Sequence, residues 1–214
     1  AVMFEMLFPK EASFVVKAYE EFTLQSATSI AERFGRDIGH ISRVSSVAIE
    51  IYDKMKKLHG YKSRERTLLQ VSAILQDIGK YVNVKNHALL SYNTITNLDI
   101  VGINDHERLI IATVCYYHNG NIPSMDSPIY NQLSQEDRVM VSKLAAILQI
   151  SNAINTSHSP KFEQVSVNMK NGKLNIYLTT LKNINLEKWA FIAKSKLFKE
   201  VYGLNATIIK RGVL

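Results

Sequence analysis

The 214 residues are 46% hydrophobic and 21% charged, enough for one large domain, or a domain with a small appendage, around a real core, which excludes a disordered chain. A single cysteine, Cys115, excludes a disulfide framework and fits a reducing cytoplasm, and no apolar run reaches the roughly 20 residues of a membrane span. The net charge of +7 is uneven, with 10 Lys+Arg against 3 Asp+Glu in residues 161–214 and 16 of each in residues 1–160, so a polyanionic partner is expected, against the plain alternative of a solvated basic face.

In chain order, Ala1 to Phe8 is apolar but broken by Glu5 and ended by Pro9, with no basic head, so it does not read as a signal peptide. An apolar start at Ala1 reads as a cut inside a longer protein. Phe14, Val15, Ala18, Tyr19 and Phe22 recur at helical spacing, with Gly35 as a stop. A second helix is predicted from about Asp37, with Ile41, Val44, Ala48 and Ile51 on one face and Gly60 closing it. A third covers Arg64 to Tyr81 and a shorter one His87 to Asn97. Asn104-Asp105-His106-Glu107 forms a capping box that opens a helix through Tyr117. Pro123 and Pro128 mark a loop, and Ser134 caps a long helix carrying Leu144, Ile147, Leu148 and Ile150. After Pro160 the pattern changes: Phe162, Val165 and Val167 lead to the hairpin signal Asn171-Gly172, and Leu174, Ile176, Tyr177 and Leu178 return. Leu186 to Tyr202 reads as an amphipathic helix with Trp189, Phe191 and Phe198 on its apolar face, and Asn205 to Lys210 as a last strand. The fold class is therefore mainly α: a helical domain over residues 1–160, then a small basic β-β-α-β unit over 161–214.

Within this frame the densest chemistry is Leu75-Gln76-Asp77-Ile78-Gly79-Lys80. A carboxylate at the end of an apolar helix needs a partner, and Lys80, three residues on, shares a helix face with Asp77. The stretch resembles the His-Asp-Ile-Gly-Lys motif of the HD phosphohydrolase superfamily, with His40 one helix upstream and Asn152 downstream. In that superfamily His, His-Asp and a distant Asp hold a divalent metal that activates water against a phosphate ester. Here the four positions read His40, Gln76, Asp77 and Asn152. One imidazole and one carboxylate are replaced by amides, which are poor ligands for transition metals. The resemblance thus implies an HD-domain-like helical bundle with a degenerate pocket. No tightly bound metal is expected there, His40 and Asp77 being the weak candidates. The plain alternative for Gln76, Asp77 and Asn152 is that they hydrogen-bond among themselves.

A narrower family fits the ordered set His40-Ile41-Ser42-Arg43-Val44, Gln76-Asp77-Ile78-Gly79-Lys80, Asn86-His87 with Ser91-Tyr92, and Tyr117-His118 followed by Pro123. This set resembles the C-terminal helical domain of the Ppx/GppA family of exopolyphosphatases and guanosine pentaphosphate phosphohydrolases. Val2 to Glu5 and the stretch Leu186 to Gly203 extend the resemblance over nearly the whole chain. The chain departs from many relatives at Gln76, Leu90 and Asn119, where His, His and a basic residue are usual. The resemblance implies a phosphate-anion pocket of Arg43, Lys80, His87 and His118 beside His40 and Asp77. The basic cluster Lys54, Lys56, Lys57, Lys62, Arg64 and Arg66 adds further phosphate-binding candidates, while His59, His106 and His158 read as structural.

The family's catalysis implies glycine-rich phosphate loops and a carboxylate base in two N-terminal domains, with Mg²⁺ as their cofactor. No such loop and no nucleophile elbow is visible among the scattered glycines here, so no catalytic residue and no cofactor is expected in this chain. The expected role is polyphosphate binding and dimer contacts. The expected partners are inorganic polyphosphate or another polyanion, the N-terminal phosphatase domains and a second copy of the chain, in the cytoplasm and away from membranes. Two other readings stand beside it: a metal-dependent HD phosphohydrolase acting alone, and a nucleic-acid or generic polyanion binder, which would want exposed aromatics among its basic residues.

Overall fold

A computed structural model describes residues 9–170 and 172–212, with side chains from residue 15 onward in that span. The readings made on Ala1 to Phe8, on the side chain of Phe14 and on Asn171 lie outside the described residues. The chain is mainly helical, and a small three-stranded sheet follows the helices.

Helix α1 spans Pro9–Arg33, and its C-terminal half buries Thr23, Ala27, Ile30 and Ala31. Its earlier apolar face does not enter the core: Val15, Tyr19 and Phe22 are exposed. Asp37 caps α2 (Ile38–Lys54), its carboxylate accepting the His40 N–H at 3.1 Å. The face Ile41, Val44, Ala48 and Ile51 is buried as its spacing predicts. Met55 interrupts the helix, α3 (Lys56–His59) adds one turn, and Gly60 closes it at φ 73°, a left-handed cap that suits glycine.

Helix α4 spans Ser63–Leu75 and stops short of the predicted Tyr81. Gln76 and Asp77 leave the helix, and Ile78–Tyr81 form a 3₁₀ turn. The break has a packing cause. Gly79 lies so close to α5 (His87–Ile95) that a Cβ there would fall 2.3 Å from the His87 carbonyl oxygen and 2.5 Å from the Ser91 nitrogen. Ser91 locks the contact: its hydroxyl donates to the Gln76 carbonyl and accepts the Gly79 N–H, both at 2.9 Å.

The capping box at Asn104 and Glu107 opens α6 (Asp105–Tyr117). Then come α7 (Pro128–Asn131) and α8 (Gln135–Ile154), whose Ser134 cap accepts the Asp137 N–H at 3.1 Å. Helix α8 is the central rod, buried from Leu144 through Ser151, and α2, α6, α9 and α10 pack on it. No described helix is long and apolar enough to cross a membrane.

Strands β1 (Gln164–Lys170) and β2 (Lys173–Thr179) pair antiparallel with Lys170 opposite Lys173. Helices α9 (Asn185–Lys194) and α10 (Lys196–Tyr202) form the crossover to β3 (Asn205–Arg211), which pairs parallel to β2. Val167, Leu174, Ile176 and Leu178 share one apolar cluster with Phe191, Phe198 and the core of the preceding helices. Helix α9 departs from the sequence reading. It buries Glu187, Ala190 and Phe191, so Trp189 is turned outward and is 74% exposed.

Candidate functional site

Three structural accidents of the chain converge on Asp77. The helix break after Leu75 places the carboxylate in the turn rather than on the α4 surface. The close Gly79 contact brings in the first residue of α5, His87. The C-terminal end of α6 brings in His118, its C-cap. Asp77 Oδ1 lies 3.2 Å from His118 Nε2 and 3.6 Å from His87 Nε2, and the two Nε2 atoms are 3.4 Å apart. All three side chains are buried. The other carboxylate oxygen, Oδ2, accepts from Lys80 Nζ at 2.7 Å.

The tautomers follow from the backbone. His87 Nδ1 is 2.7 Å from the Val84 carbonyl oxygen and His118 Nδ1 is 2.5 Å from that of Cys115. A carbonyl can only accept, so both Nδ1 atoms carry hydrogens. Each Nε2 therefore faces Asp77 Oδ1 as an acceptor when its ring is neutral and as a donor when it is protonated, and Oδ1 has no other hydrogen bond from the described residues. Burial pushes the Asp77 carboxyl up, but His118 and Lys80 together hold it well below the usual carboxylate range. Burial pushes the His87 imidazole down. The same burial, with Asp77 nearby, raises the Cys115 thiol well above its ordinary value, so it is an inert core group.

On the other side of Asp77 a cavity of about 70 Å³ is lined by Arg36, Asp37, His40, Gln76, Lys80 and His158, among others. His40, Gln76 and Asp77 thus meet, as the motif implies. Asn152 does not line this cavity; it is half-buried on α8. The mutual hydrogen bonding considered for Gln76, Asp77 and Asn152 does not form; Asp77 bonds Lys80 instead. Gln76 Oε1 and both ring nitrogens of His40 have no hydrogen bond from the described residues. Burial, then the neighbouring His158, depresses the His40 imidazole to about 4.

Residues 24–198 match the family described as Ppx/GppA phosphatase, domain III. The chain belongs to the Ppx/GppA phosphatase family. At the level of the family this is hydrolase and exopolyphosphatase chemistry.

In this Ppx/GppA domain the other sequence candidates are dispersed. Arg43 sits on α2 and reaches the His158 carbonyl at 3.4 Å rather than joining Lys80, His87 and His118. Arg64 is held by Glu107 and by the Gly102 carbonyl at 2.7 Å, and Arg66 pairs with Asp53 at 2.9 Å and 3.0 Å. Lys54, Lys56, Lys57 and Lys62 are exposed and take no part in an ion pair among the described residues. His59 is structural, bonded to the Tyr52 carbonyl and the Tyr61 N–H, and His106 pairs with Asp137 at 3.0 Å.

Sequence reasoning missed two groups at the site. His158 stacks on His40 with ring centroids 4.1 Å apart, at a backbone φ of 54°. Lys194 of α9 lies within the field of Asp77 and Lys80, and burial lowers its pKa. Neither carried a signal in a short window, since both arrive from elements distant in sequence.

Proposed function

We propose that this Ppx/GppA domain is the binding and assembly module of an exopolyphosphatase-like phosphohydrolase. It contributes a basic surface for polyphosphate and contacts for a homodimer. Phosphate release, with Mg²⁺, belongs to the N-terminal phosphatase domains of the family. The observation that carries the reading is the division among the cations. Arg64 and Arg66 are neutralised by carboxylates, whereas Lys54, Lys56, Lys57, Lys62, Lys170, Lys173 and Lys199 are exposed and unpaired among the described residues. Exposed lysines are strongly hydrated point charges suited to a sequence-free polyanion. The exposed apolar face of α9, with Leu186, Trp189 and Ile192, is the surface we assign to the dimer.

The test is binding of long-chain polyphosphate to the 214-residue chain as a function of salt. Affinity should fall steeply with salt as counterions are released. Reversing Lys54, Lys56 and Lys57 together to Glu should weaken it further. The same preparation should release no phosphate from polyphosphate or guanosine pentaphosphate above background. Turnover that depends on Asp77 would establish the stand-alone hydrolase instead.

One observation favours a second reading, nucleic-acid binding. Trp189 is exposed on the basic unit, and the Arg211 guanidinium covers the Tyr177 ring at 3.6 Å. Single-stranded DNA of equal charge distinguishes the two, because polyphosphate has no bases to stack. DNA that competes as well as polyphosphate, and loses its advantage in Trp189→Ala, would favour the second.

A further inference from the structure

We propose that residues 157–161, on the crossing from α8 to β1, form a lid over the cavity of His40, Gln76 and Asp77, and that Glu187 of α9 is the latch that holds it shut. The proposal concerns access to that cavity and rests on neither polyphosphate binding nor the dimer.

The lid covers a polar interior. His158 lines the cavity, and its ring lies on the His40 ring with centroids 4.1 Å apart and planes 28° apart. His158 is exposed, whereas His40 beneath it is only 5% exposed. The His158 ring is therefore the outer wall of the cavity. Behind it, Gln76 Oε1 and both His40 ring nitrogens have no hydrogen bond from the described residues. Unpaired polar groups weaken the closed state, because water satisfies them when the wall moves.

Both feet of the lid meet one buried carboxylate. Glu187 lies in the first turn of α9, and its side chain is fully buried. Lys161 Nζ is 2.9 Å from Glu187 Oε1. Burial pushes the Glu187 carboxyl up, and Lys161 and Ser157 hold it below its ordinary value. Neither Glu187 oxygen is otherwise hydrogen-bonded from the described residues. A carboxylate so deep, with no further partner, makes separation from its cation costly. At the same foot the Thr180 hydroxyl donates to the Lys161 carbonyl, and Lys182 Nζ donates to the Pro160 carbonyl at 3.0 Å.

Between the feet the hold is weaker. The His158 carbonyl accepts from Arg43 Nη2 at 3.4 Å, a long and exposed contact. His158 sits at φ 54°, the one non-glycine residue at positive φ among those described. Left-handed backbone at a residue with a Cβ persists where its neighbours enforce it, and it relaxes once they let go. Firm feet and a strained, weakly held tip distinguish a lid from a fixed wall of the core.

The competing account is that fixed wall, which uncovers His40 only when the whole domain unfolds. The two differ in their response to denaturant. Local opening exposes little surface and is almost indifferent to low urea, whereas global unfolding follows the full urea slope. The 214-residue chain is treated with diethyl pyrocarbonate near neutral pH, at fewer than one label per molecule, over a series of urea concentrations below the unfolding transition. Peptide mass spectrometry then gives the rate for each histidine. His106, whose side chain is 64% exposed, is the free reference. The expected result is slow labelling of His40 with a flat urea dependence, and a steep dependence for the buried His87 and His118. Glu187→Gln keeps the size of the side chain and removes the charge that holds Lys161. It should raise the His40 rate about tenfold or more while leaving the urea dependence flat. Arg43→Met, which frees the His158 carbonyl without touching the latch, should raise the His40 rate in the same direction. A His40 rate that climbs with urea as steeply as those of His87 and His118 would overturn the lid. A folded Glu187→Gln protein with an unchanged His40 rate would overturn the latch.

Discussion

The contact between the 3₁₀ turn and α5 gives the sharpest test of how the site is built. In Gly79→Ala the added Cβ would sit 2.3 Å from the His87 carbonyl oxygen, 2.5 Å from the Ser91 nitrogen and 2.8 Å from the Leu90 Cβ. Two of these neighbours are backbone, so no side-chain rotation relieves the clash, and α5 must move away from the turn. Overpacking of this kind costs about 1–3 kcal/mol, and the upper end applies where helix backbone must shift. Separating Gly79 N–H from Ser91 Oγ, now 2.9 Å apart, removes about 1 kcal/mol more. The smaller conformational freedom of the unfolded chain returns about 0.4–1 kcal/mol. The net destabilisation is about 3 kcal/mol, and a domain of this size loses about 2–4 °C of melting temperature per kcal/mol. Calorimetry should therefore show a fall of about 6–12 °C for the variant. Gly212→Ala is the control, since a Cβ there meets nothing within 4 Å. A Gly79→Ala protein that melts within about 2 °C of the parent would refute the packing account of the helix break.

Other outcomes follow from the same geometry. Burial and the adjacent His158 lower the His40 imidazole to about 4, whereas the unfolded chain titrates near 6.5. Between these values the unfolded state binds the extra proton, so this stability is complete above pH 6.5 and is lost as the pH falls toward 4. The contribution is about 3 kcal/mol, and His40→Phe should flatten the denaturation free energy over that window relative to the parent. Phe198→Ala, at a fully buried position, should cost about 3–5 kcal/mol by urea denaturation. Trp189→Lys should shift sedimentation from dimer to monomer without changing the melting temperature of the subunit, because the side chain is 74% exposed in the isolated chain. A monomeric parent, or a variant that still dimerises, would remove α9 from the assembly reading.

Local signals were legible wherever their cause is local. Asn104 and Ser134 accept N–H groups of their own first turns, and Gly60 and Gly203 close helices in the left-handed conformation. Each effect acts over a few residues, so a short window of sequence contains it. The ordered motifs around Asp77 lie where buried polar side chains of several helices meet, because a carboxylate at the end of an apolar helix has few stable outcomes. What the sequence could not supply is which face of a helix meets what. The apolar periods at Tyr19 and Trp189 are real, yet both residues point to solvent, since the direction of a face is fixed by packing against other elements. The end of α4 at Leu75 is decided by α5, through the space that Gly79 leaves. The pairing of His87 and His118 on one oxygen of Asp77, and of His158 on His40, joins elements far apart in the chain. Only the tertiary structure brings those rings within 4 Å to 5 Å of their partners, because a centre built from several helices exists only once their packing fixes distance and orientation together.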